Sequence, residues 1–312
     1  MIAMIKIVEV GPRDGLQNES EQVPTPVKVN FVDGLSQSGV HEIEVSAFVS
    51  PARVPQLRDA AQVYGKIQRN TRIVYSALVP NSRGLDQAMA AGVDKISVFT
   101  AASETFNQRN INTSVKGSLD RFKPVIARAQ ALKLPVRAYL STAFWCAFEG
   151  RIKPEAVLSL SLDLMDMGID EISISDTIGK ASPQEVAQLL ELVLVKIPRK
   201  KLAVHFHDTY GRGIANVLES VAHGIEIIDA SAGGLGGCPF APGATGNVAT
   251  EEVVNALEDA GKKTGVDPNA LVKAGKCLQP YVNQKESIPA EDSLPCSSCE
   301  FSQGKGCCAP RK

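Results

Sequence analysis

The sequence lacks any long hydrophobic run and has almost no excess of charge. No apolar stretch approaches the roughly 18 residues that a membrane-spanning helix needs, so an integral membrane protein is not expected. The 312 residues include 33 Lys and Arg against 34 Asp and Glu, which gives a formal net charge of -1. This balance gives no reason to expect binding to nucleic acid or to an acidic membrane surface, since both depend on an excess of positive charge.

A disulfide framework is also absent from the pattern of the seven cysteines. Three of them are scattered singly and the rest fall close to the carboxyl terminus. Such an arrangement suits a reducing compartment. A strand-like run begins almost at the first residue and leaves no room for a targeting peptide in the sequence as given. We therefore expect a cytoplasmic location.

Eight short runs rich in Val and Ile are predicted to be β-strands. They cover residues 5–10, 42–47, 72–77, 95–100, 136–141, 171–175, 202–207 and 226–231. Most of them read as apolar on both faces, as the strands of a buried parallel sheet do, and segments with helical periodicity lie between them. Eight strand–helix units in about 250 residues match the size of a (β/α)8 TIM barrel.

An open, doubly wound sheet is the alternative architecture for the same alternation of strands and helices. The two architectures differ in where the carboxyl ends of the strands lie, because these ends converge on one face only in a barrel. Polar residues with potential for catalysis follow the first, second, sixth, seventh and eighth predicted strands. Their clustering favours the barrel.

The barrel is predicted to form a single catalytic domain over residues 1–282. This domain includes a short C-terminal helical extension that begins at Asp267 and Pro268. From residue 283 the composition shifts to Ser, Pro, Gly, Lys and Cys, which predicts a flexible tail over 283–312. The cysteines of this tail are Cys296, Cys299, Cys307 and Cys308. Zinc binding, reversible redox chemistry and no catalytic role are all compatible with them.

Two histidines on one predicted strand indicate a metal site. The chain has only four histidines, and His205 and His207 are two residues apart, so both side chains share one face of the strand. Asp14, which follows the first strand, is the natural carboxylate partner. Two imidazoles and a carboxylate suit Mg²⁺ or Mn²⁺ and would also accept zinc, cobalt or iron. The alternative is a pair of purely structural histidines at the barrel rim.

A glycine-rich loop is predicted after the eighth strand, with four glycines among residues 233–237. Cys238 lies in this loop, where a thiol can exchange a proton with a substrate, or can be an inert small residue at a turn. No Lys-Ser/Thr pair follows the glycines, which excludes a phosphate-binding loop. Asn247, a little further along, offers an amide oxygen as another metal ligand.

Three more charged residues lie at predicted strand ends. Arg13 adjoins Asp14, and it is either a surface ion-pair partner or a functional cation. Glu44 belongs to the second strand and Asp176 follows the sixth. We expect both carboxylates to orient ligands or substrate, because too many carboxylates on the ion would weaken it as a Lewis acid.

Several motifs resemble those of the 3-hydroxy-3-methylglutaryl-CoA lyase family. They are VGPRDGLQNE at 10–19, FVSP at 48–51, AASE at 101–104, NIN at 110–112, HFHDTYG at 205–211 and GLGGCP at 234–239. The resemblance covers about residues 5–275 with the motifs in order. The wider superfamily of Claisen synthases, aldolases and carboxyltransferases shares only the Arg-Asp, Asp-Thr and His-x-His parts.

The resemblance implies a metal-dependent retro-Claisen cleavage of 3-hydroxy-3-methylglutaryl-CoA to acetyl-CoA and acetoacetate. It makes Asp14, His205, His207 and Asn247 the ligands of a divalent ion, Mg²⁺ or Mn²⁺, and counts His205 among the catalytic residues as well. The expected partner is an acyl-CoA thioester, and a homodimer is the candidate assembly. Binding of nucleic acid or membrane is not expected.

The resemblance also assigns roles to residues around the ion. It makes Arg13 the cation that stabilises the enolate developing on the thioester, and Arg13 and Gln17 the residues that contact the substrate. Cys238 becomes the acid that protonates the carbanion equivalent. Glu44 and Asp176 become carboxylates that handle protons or orient other groups. Metal coordination and charge stabilisation of this kind are what the cleavage requires chemically.

Several positions depart from the pattern of these lyases, and four of them are expected to affect the pocket. Phe144 and Trp145 stand where small residues are usual, Ser175 replaces a glycine, and Arg212 replaces a glutamine. We expect these changes to leave the metal chemistry intact and to alter the pocket for the acyl group. A closely related 3-hydroxyacyl-CoA is therefore the alternative substrate.

Two other functions fit parts of the same pattern. An aldolase or Claisen-type synthase acting on a 2-oxo acid would use the same metal ligands, but it needs no thiol acid at the position of Cys238. A barrel that has lost activity and serves as a scaffold would not be expected to keep the complete set of polar residues.

Overall fold

The computed structural model describes residues 4–236 and 246–282, which form a closed parallel barrel. Its strands are β1 Lys6–Glu9, β2 Glu42–Ala47, β3 Val74–Leu78, β4 Lys95–Ala101, β5 Val136–Ser141, β6 Glu171–Asp176, β7 Leu202–Phe206 and β8 Ile227–Ala230. Neighbours in the barrel follow chain order, and β8 closes the ring by pairing with β1. The predicted TIM barrel is confirmed, and the open sheet is excluded.

Within the described residues, ten α-helices surround the barrel. They are α1 Thr25–Leu35, α2 Ala60–Tyr64, α3 Ser82–Ala90, α4 Glu104–Ile111, α5 Val115–Ala131, α6 Pro154–Asp166, α7 Pro183–Leu194, α8 Gly213–Ala222, α9 Thr250–Asp259 and α10 Pro268–Gly275. The predicted C-terminal helix is α10, which packs against α1 and α9. Gly34 on α1 permits this packing, because a Cβ there would lie 2.8 Å from the Cβ of Ala274.

Several strands have one apolar and one polar face. On β4, Ile96 and Val98 are buried in the main hydrophobic core that joins the barrel to the helices. The alternate side chains point into the barrel, where Lys95 reaches other charged residues and Ser97 donates a hydrogen bond to Glu44. The expectation that most strands are apolar on both faces is therefore wrong. The interior of this barrel holds buried charges that need polar partners.

A chain of ion pairs crosses the barrel interior. The Nζ atom of Lys95 lies 3.0 Å from Glu42 Oε2 and 3.0 Å from Glu171 Oε1. Glu171 Oε1 is 3.2 Å from Nε of Arg137, whose Nη2 donates to Asp229 Oδ1 at 2.5 Å. All five side chains are buried. Each buried charge therefore has an opposite charge beside it, as the high cost of burying an unpaired ion demands.

Three parts of the chain lie outside the described residues: 1–3, 237–245 and 283–312. The last of these contains the predicted tail with its cysteines, so the boundary at residue 282 stays a prediction. None of the helices in the described part of the chain is both long and apolar enough to cross a membrane.

Candidate active site and metal centre

The carboxyl ends of the strands open into a cavity of about 790 Å³. Five of the predicted catalytic, metal-binding and substrate-binding residues line it, namely Arg13, Asp14, Gln17, His205 and His207. They come from the turn after β1 and from the end of β7, at opposite ends of the sequence. Closure of the barrel brings them together, because β1 and β7 both pair with β8.

Asp14, His205 and His207 each present a ligand atom, and these three atoms lie within 4.8 Å of one another. The Nε2 atom of His205 is 4.0 Å from Asp14 Oδ2. An ion with metal–ligand bonds of about 2.0–2.6 Å can be reached by ligand atoms at this spacing. The predicted convergence of the three side chains is confirmed, and the structure has a possible metal site here.

The local backbone accounts for the position of each ligand. His205 belongs to β7 and His207 follows its last residue, so both point toward the cavity while the side chain of Phe206 is buried in the hydrophobic core. Asp14 lies in a tight π-helical turn, Gly11–Gly15, in which its N–H donates to Val10 O at 2.7 Å. A Cβ on Gly11 would lie 2.7 Å from Glu9 Oε1, so a larger residue at the first position of this turn would displace the buried Glu9 side chain.

Asn247 joins this cluster from the segment that precedes α9. It forms an isolated β-bridge with His207, and its Nδ2 donates to Asp14 Oδ2 at 2.9 Å and to Leu235 O at 3.0 Å. Its Oδ1 atom is buried and has no hydrogen-bond partner among the described residues. A buried acceptor without a partner carries a desolvation cost, which a bound cation would remove. The donor set of two imidazoles, a carboxylate and an amide oxygen therefore fits a divalent ion.

Asp14 is held as a carboxylate ion. Arg13 Nη1 lies 2.6 Å from Asp14 Oδ1, and Gln17 Nε2 donates to the same oxygen at 2.9 Å. Burial favours the neutral form of Asp14, but Arg13, His205 and His207 outweigh it and lower the pKa to about 2. The side chain is therefore charged at neutral pH, as a metal ligand must be.

Arg13 is buried at the base of the cavity, with 5% of its surface exposed, which excludes the surface ion-pair reading. Its Nε donates to Glu44 Oε2, and its guanidinium carbon lies 4.9 Å from the centre of the Tyr139 ring. Glu44 also accepts hydrogen bonds from the hydroxyls of Ser97 and Tyr139. Glu44 does not line the cavity but fixes the guanidinium that does.

Asp176 does not line the cavity either. Alternate residues of β6 face opposite ways, and Ser175 takes the position that faces the cavity. The Oδ2 atom of Asp176 instead accepts a hydrogen bond from the N–H of Ala181 at 2.8 Å, which fixes the loop after β6. Burial raises the pKa of Asp176 to about 6. The geometry favours the orienting role over the proton-handling role.

The predicted acid Cys238 lies outside the described residues, within 237–245. The last described residue before this segment, Gly236, lies beside Asn247 and Asp14. Gly236 has a φ of +103°, and a Cβ there would lie 2.8 Å from Asn247 Nδ2 and 3.4 Å from Asp14 O. Only glycine fits this backbone conformation so close to the ligands.

Three of the four departures from the lyase pattern lie away from the cavity, so the expectation that they reshape it is wrong. Phe144 is buried against Phe206, with ring centres 6.3 Å apart. Trp145 donates to Glu185 Oε1 at 3.2 Å, and Arg212 donates to a backbone oxygen. The chain turns at Thr142, with a φ of 53°, and then enters a hairpin outside the barrel. Ser175 alone among the four lines the cavity.

Residues that were not singled out from the sequence complete the cavity. Part of its wall is aromatic and part is cationic. The aromatic side chains include Phe99, Phe106, Phe148 and Tyr139, and the cationic ones include Arg53, Arg109 and Arg121. Isolated Phe and Arg residues in loops and helices carry no sequence signal of their own, whereas Phe99 lies on β4 two residues after the inward-facing Ser97. The inward position of Tyr139 on β5 could have been predicted from strand alternation, because Arg137, two residues earlier, lies on the polar face.

A closed parallel barrel with this donor set at its carboxyl end defines a TIM-barrel enzyme with a candidate metal centre. The profile of the HMGL-like family matches residues 4–278. The chain therefore belongs to the HMGL-like family of lyases, as its motifs indicated.

Individual relatives support this assignment. The chain is 48% identical over 280 residues to the cytoplasmic 3-hydroxy-3-methylglutaryl-CoA lyase of Rattus norvegicus, covering 90% of this chain and 82% of the relative. It is 46% identical over 290 residues to the 3-hydroxy-3-isohexenylglutaryl-CoA/hydroxy-methylglutaryl-CoA lyase of Pseudomonas aeruginosa, covering 93% and 97%. An HMG-CoA lyase from Acinetobacter baumannii, solved with coenzyme A and 3-methylmalate, has a TM-score of 0.86 and 36% identity over 96% of this chain and 98% of that one.

Proposed function

We propose that this chain cleaves 3-hydroxy-3-methylglutaryl-CoA to acetyl-CoA and acetoacetate. The observation that carries the proposal is the convergence of Asp14, His205 and His207 beside the buried guanidinium of Arg13 in one cavity. Relatives that are 46–48% identical over nine-tenths of the chain bear the names of lyases for this substrate.

Asp14, His205, His207 and Asn247 are the residues that would hold a divalent ion, with Mg²⁺ or Mn²⁺ as our candidates. The bound ion would supply Lewis acidity, which lowers the pKa of a neighbouring alcohol such as the tertiary hydroxyl of the substrate. Two features of the chain favour binding of the ion. Asp14 is ionised, and the Oδ1 atom of Asn247 has no hydrogen-bond partner among the described residues. His205 counts among the catalytic residues through this role.

Arg13 is proposed to stabilise the negative charge that develops on the thioester oxygen as the carbon–carbon bond breaks. Preorganised donors are effective in this role because they need no rearrangement during the reaction. Glu44 and Tyr139 hold the guanidinium in place, and the hydrogen bonds to Glu44 and Asp14 leave further N–H groups for a substrate. Gln17, which lines the cavity beside Asp14, is proposed to contact the substrate too.

Cys238 is proposed to donate the proton that converts the departing enolate to acetyl-CoA. Support comes from its sequence position two residues after Gly236, which lies against Asn247. We expect Cys238→Ala to fold and to bind Mn²⁺ normally while its turnover falls about 10²–10⁴-fold, the usual contribution of a general acid. Cys146→Ala is the matched control, because Cys146 is buried against Ser103. Near-normal turnover of Cys238→Ala would assign the acid role elsewhere.

The acyl carrier is proposed to be coenzyme A. Arg53, Arg109 and Arg121 line the cavity, and guanidinium groups bind phosphates strongly. Asp176 is proposed to act indirectly, by fixing the loop from which Thr177 faces the cavity.

A 3-hydroxyacyl-CoA with a larger apolar substituent is a second candidate substrate. The aromatic wall favours it, with the rings of Phe99 and Phe106 centred 6.4 Å apart and those of Phe106 and Phe148 also 6.4 Å apart. The Pseudomonas aeruginosa relative is named for an isohexenylglutaryl-CoA as well as for the methyl compound.

The deciding experiment incubates the purified chain with Mg²⁺ and a panel of acyl-CoAs, followed by mass spectrometry of the products. The panel contains 3-hydroxy-3-methylglutaryl-CoA, an analogue with an isohexenyl group, and acetyl-CoA together with a 2-oxo acid. We expect acetyl-CoA and acetoacetate from the first compound. Condensation of the third mixture without cleavage of the first would instead establish the synthase alternative.

We also propose a cytoplasmic location and a homodimeric assembly. The proposed location agrees with that of the Rattus norvegicus relative, which is named as a cytoplasmic lyase. Cell fractionation tests the location, and light scattering after size-exclusion chromatography tests the assembly.

A further inference from the structure

Asp229 on β8 is a buried carboxylate that lies directly behind His205. Its Oδ2 atom is 3.4 Å from Nδ1 of His205, a buried nitrogen that makes no well-aligned hydrogen bond within the described residues. The opposite ring nitrogen of His205, Nε2, faces Asp14 at 4.0 Å. The imidazole therefore bridges a buried carboxylate on one side and the candidate metal site on the other.

The surroundings of Asp229 fix both its charge and its orientation. Arg137 Nη2 donates to Oδ1 at 2.5 Å, and Ser173 Oγ donates to Oδ2 at 2.8 Å. Both side chains of the Arg137–Asp229 pair are buried, and a carboxylate persists in such a place when an opposite charge lies beside it. Arg137 is itself held by Glu171 at the far end of the network. The carboxylate is therefore a rigid, charged acceptor.

Such an acceptor determines which nitrogen of the imidazole carries the proton. A neutral histidine with its Nδ1–H directed at a carboxylate keeps its lone pair on Nε2. In this chain Nε2 is the nitrogen on the side of Asp14. A carboxylate behind a ligating histidine also raises the basicity of the ligand and fixes the plane of the ring.

We propose that Asp229 is a positioning residue that sets the tautomer and the ring orientation of His205 for metal binding. The proposal rests on the proposed role of His205 as a ligand. Asp229 acts only through His205, since it lies below the cavity and does not line it.

The test compares the full-length chain with Asp229→Asn and Glu171→Gln. Glu171 is the matched control, because it is a buried carboxylate that pairs with the same Arg137 but is not in contact with His205. Mn²⁺ affinity is measured by electron paramagnetic resonance titration. We expect Asp229→Asn to weaken binding about 10–100-fold, the usual effect of removing such a partner, and Glu171→Gln to bind nearly as the natural chain does.

A second measurement needs no variant, in case Asp229→Asn does not fold. Imidazole ¹⁵N shifts of the natural chain report which nitrogen of His205 is protonated, and we expect Nδ1. A proton on Nε2, or equal weakening of Mn²⁺ binding in both variants, would overturn the proposal. If the natural chain binds no divalent ion at all, the proposed metal-dependent function is wrong. If it binds Mn²⁺ but the Asp229 results contradict our expectation, only the proposal for Asp229 is wrong.

Discussion

The two faces of the barrel strands contribute different things to the protein. The outward face of β4 buries Ile96 and Val98 against the helices, and each such apolar side chain contributes about 1.5–3 kcal/mol to stability. The inward face of the same strand carries Lys95 and Ser97. Buried ion pairs like those of Lys95 roughly offset their own desolvation cost, so they add little net stability.

The outward faces of the strands therefore mainly stabilise the fold, and the inward faces mainly position the residues of the site. Branched apolar residues usually fill the interior of a TIM barrel in layers. In this barrel a small apolar cluster of Val8, Val10, Ala203 and Ile227 is separate from the main core. Elsewhere the interior is polar, and two of its networks end at metal-ligand candidates. Glu44 and Arg13 lead to Asp14, and Arg137 and Asp229 lead to His205.

The largest effect on function is expected from Arg13→Lys, a change on the inward side of the barrel that keeps the charge. A lysine cannot hold Glu44, stack on Tyr139 and still reach a substrate oxygen with a planar fork. We expect turnover to fall about 10²–10³-fold, as it does when a preorganised donor is removed. Steady-state kinetics measures the loss, and the control is Arg128→Lys, at an exposed arginine that pairs with Asp86 away from the cavity. An unchanged rate would remove Arg13 from the mechanism.

Strand alternation explains how much of this division could be predicted from the sequence. Val and Ile runs were sufficient to place all eight barrel strands, and the spacing of His205 and His207 predicted a shared face. The partners of these residues were beyond sequence reasoning. Asp229 meets Arg137 across 92 positions of the chain, a pairing that depends on the register of the closed barrel.

The same uncertainty over direction limited the prediction for Asp176. A strand end offers two neighbouring positions, Ser175 and Asp176, and only one of them faces the cavity. The sequence left both an orienting and a proton-handling role open for the carboxylate, whereas the pleat places the serine at the cavity. A shift of one residue in the predicted phase of a strand reverses every side chain on it.

Substitutions at two neighbouring residues of β4 compare its outward face with its inward face. Ile96→Ala should lower the free energy of unfolding by about 2–5 kcal/mol, since it leaves a cavity in the core. Ser97→Ala should cost less stability but slow turnover, because it loosens Glu44 behind Arg13. Urea unfolding and kinetics at a temperature where both variants are folded separate the two effects. The comparison fails if Ile96→Ala reduces turnover of the folded enzyme more than Ser97→Ala does.

Asp176 provides a pH test, because it is a buried carboxylate that pairs with no cation in the described part of the chain. Its pKa is about 6 in the folded chain against 3.8 for the ordinary side chain. The folded state therefore holds the proton more tightly, and stability should fall as pH rises from about 4 to about 6. Asp176→Asn removes this dependence and should be more stable at pH 7 by about 1–3 kcal/mol.

Thermal melts of both proteins between pH 4 and pH 8 measure the difference. Asp14 has its pKa lowered to about 2, so it contributes stability that is lost only at lower pH and does not interfere. Parallel curves for the natural chain and Asp176→Asn would show that this carboxylate does not carry the burial cost we assign to it.

The smallest effect is expected from deleting residues 290–312, which belong to neither face of the barrel. Every residue proposed for the site lies before this segment, and the helix α10 that closes the described chain ends at Gly275. With reductant present, the truncated protein should therefore melt and turn over nearly as the full chain does. Without reductant, the full chain and the truncated protein are compared again for melting and turnover. If they differ, and the difference disappears when the four tail cysteines are changed to Ser, the tail has redox chemistry. These cysteines are Cys296, Cys299, Cys307 and Cys308. Insolubility or loss of turnover under reducing conditions would instead mean that the tail is structural, and that apolar packing on the outward side extends past residue 282.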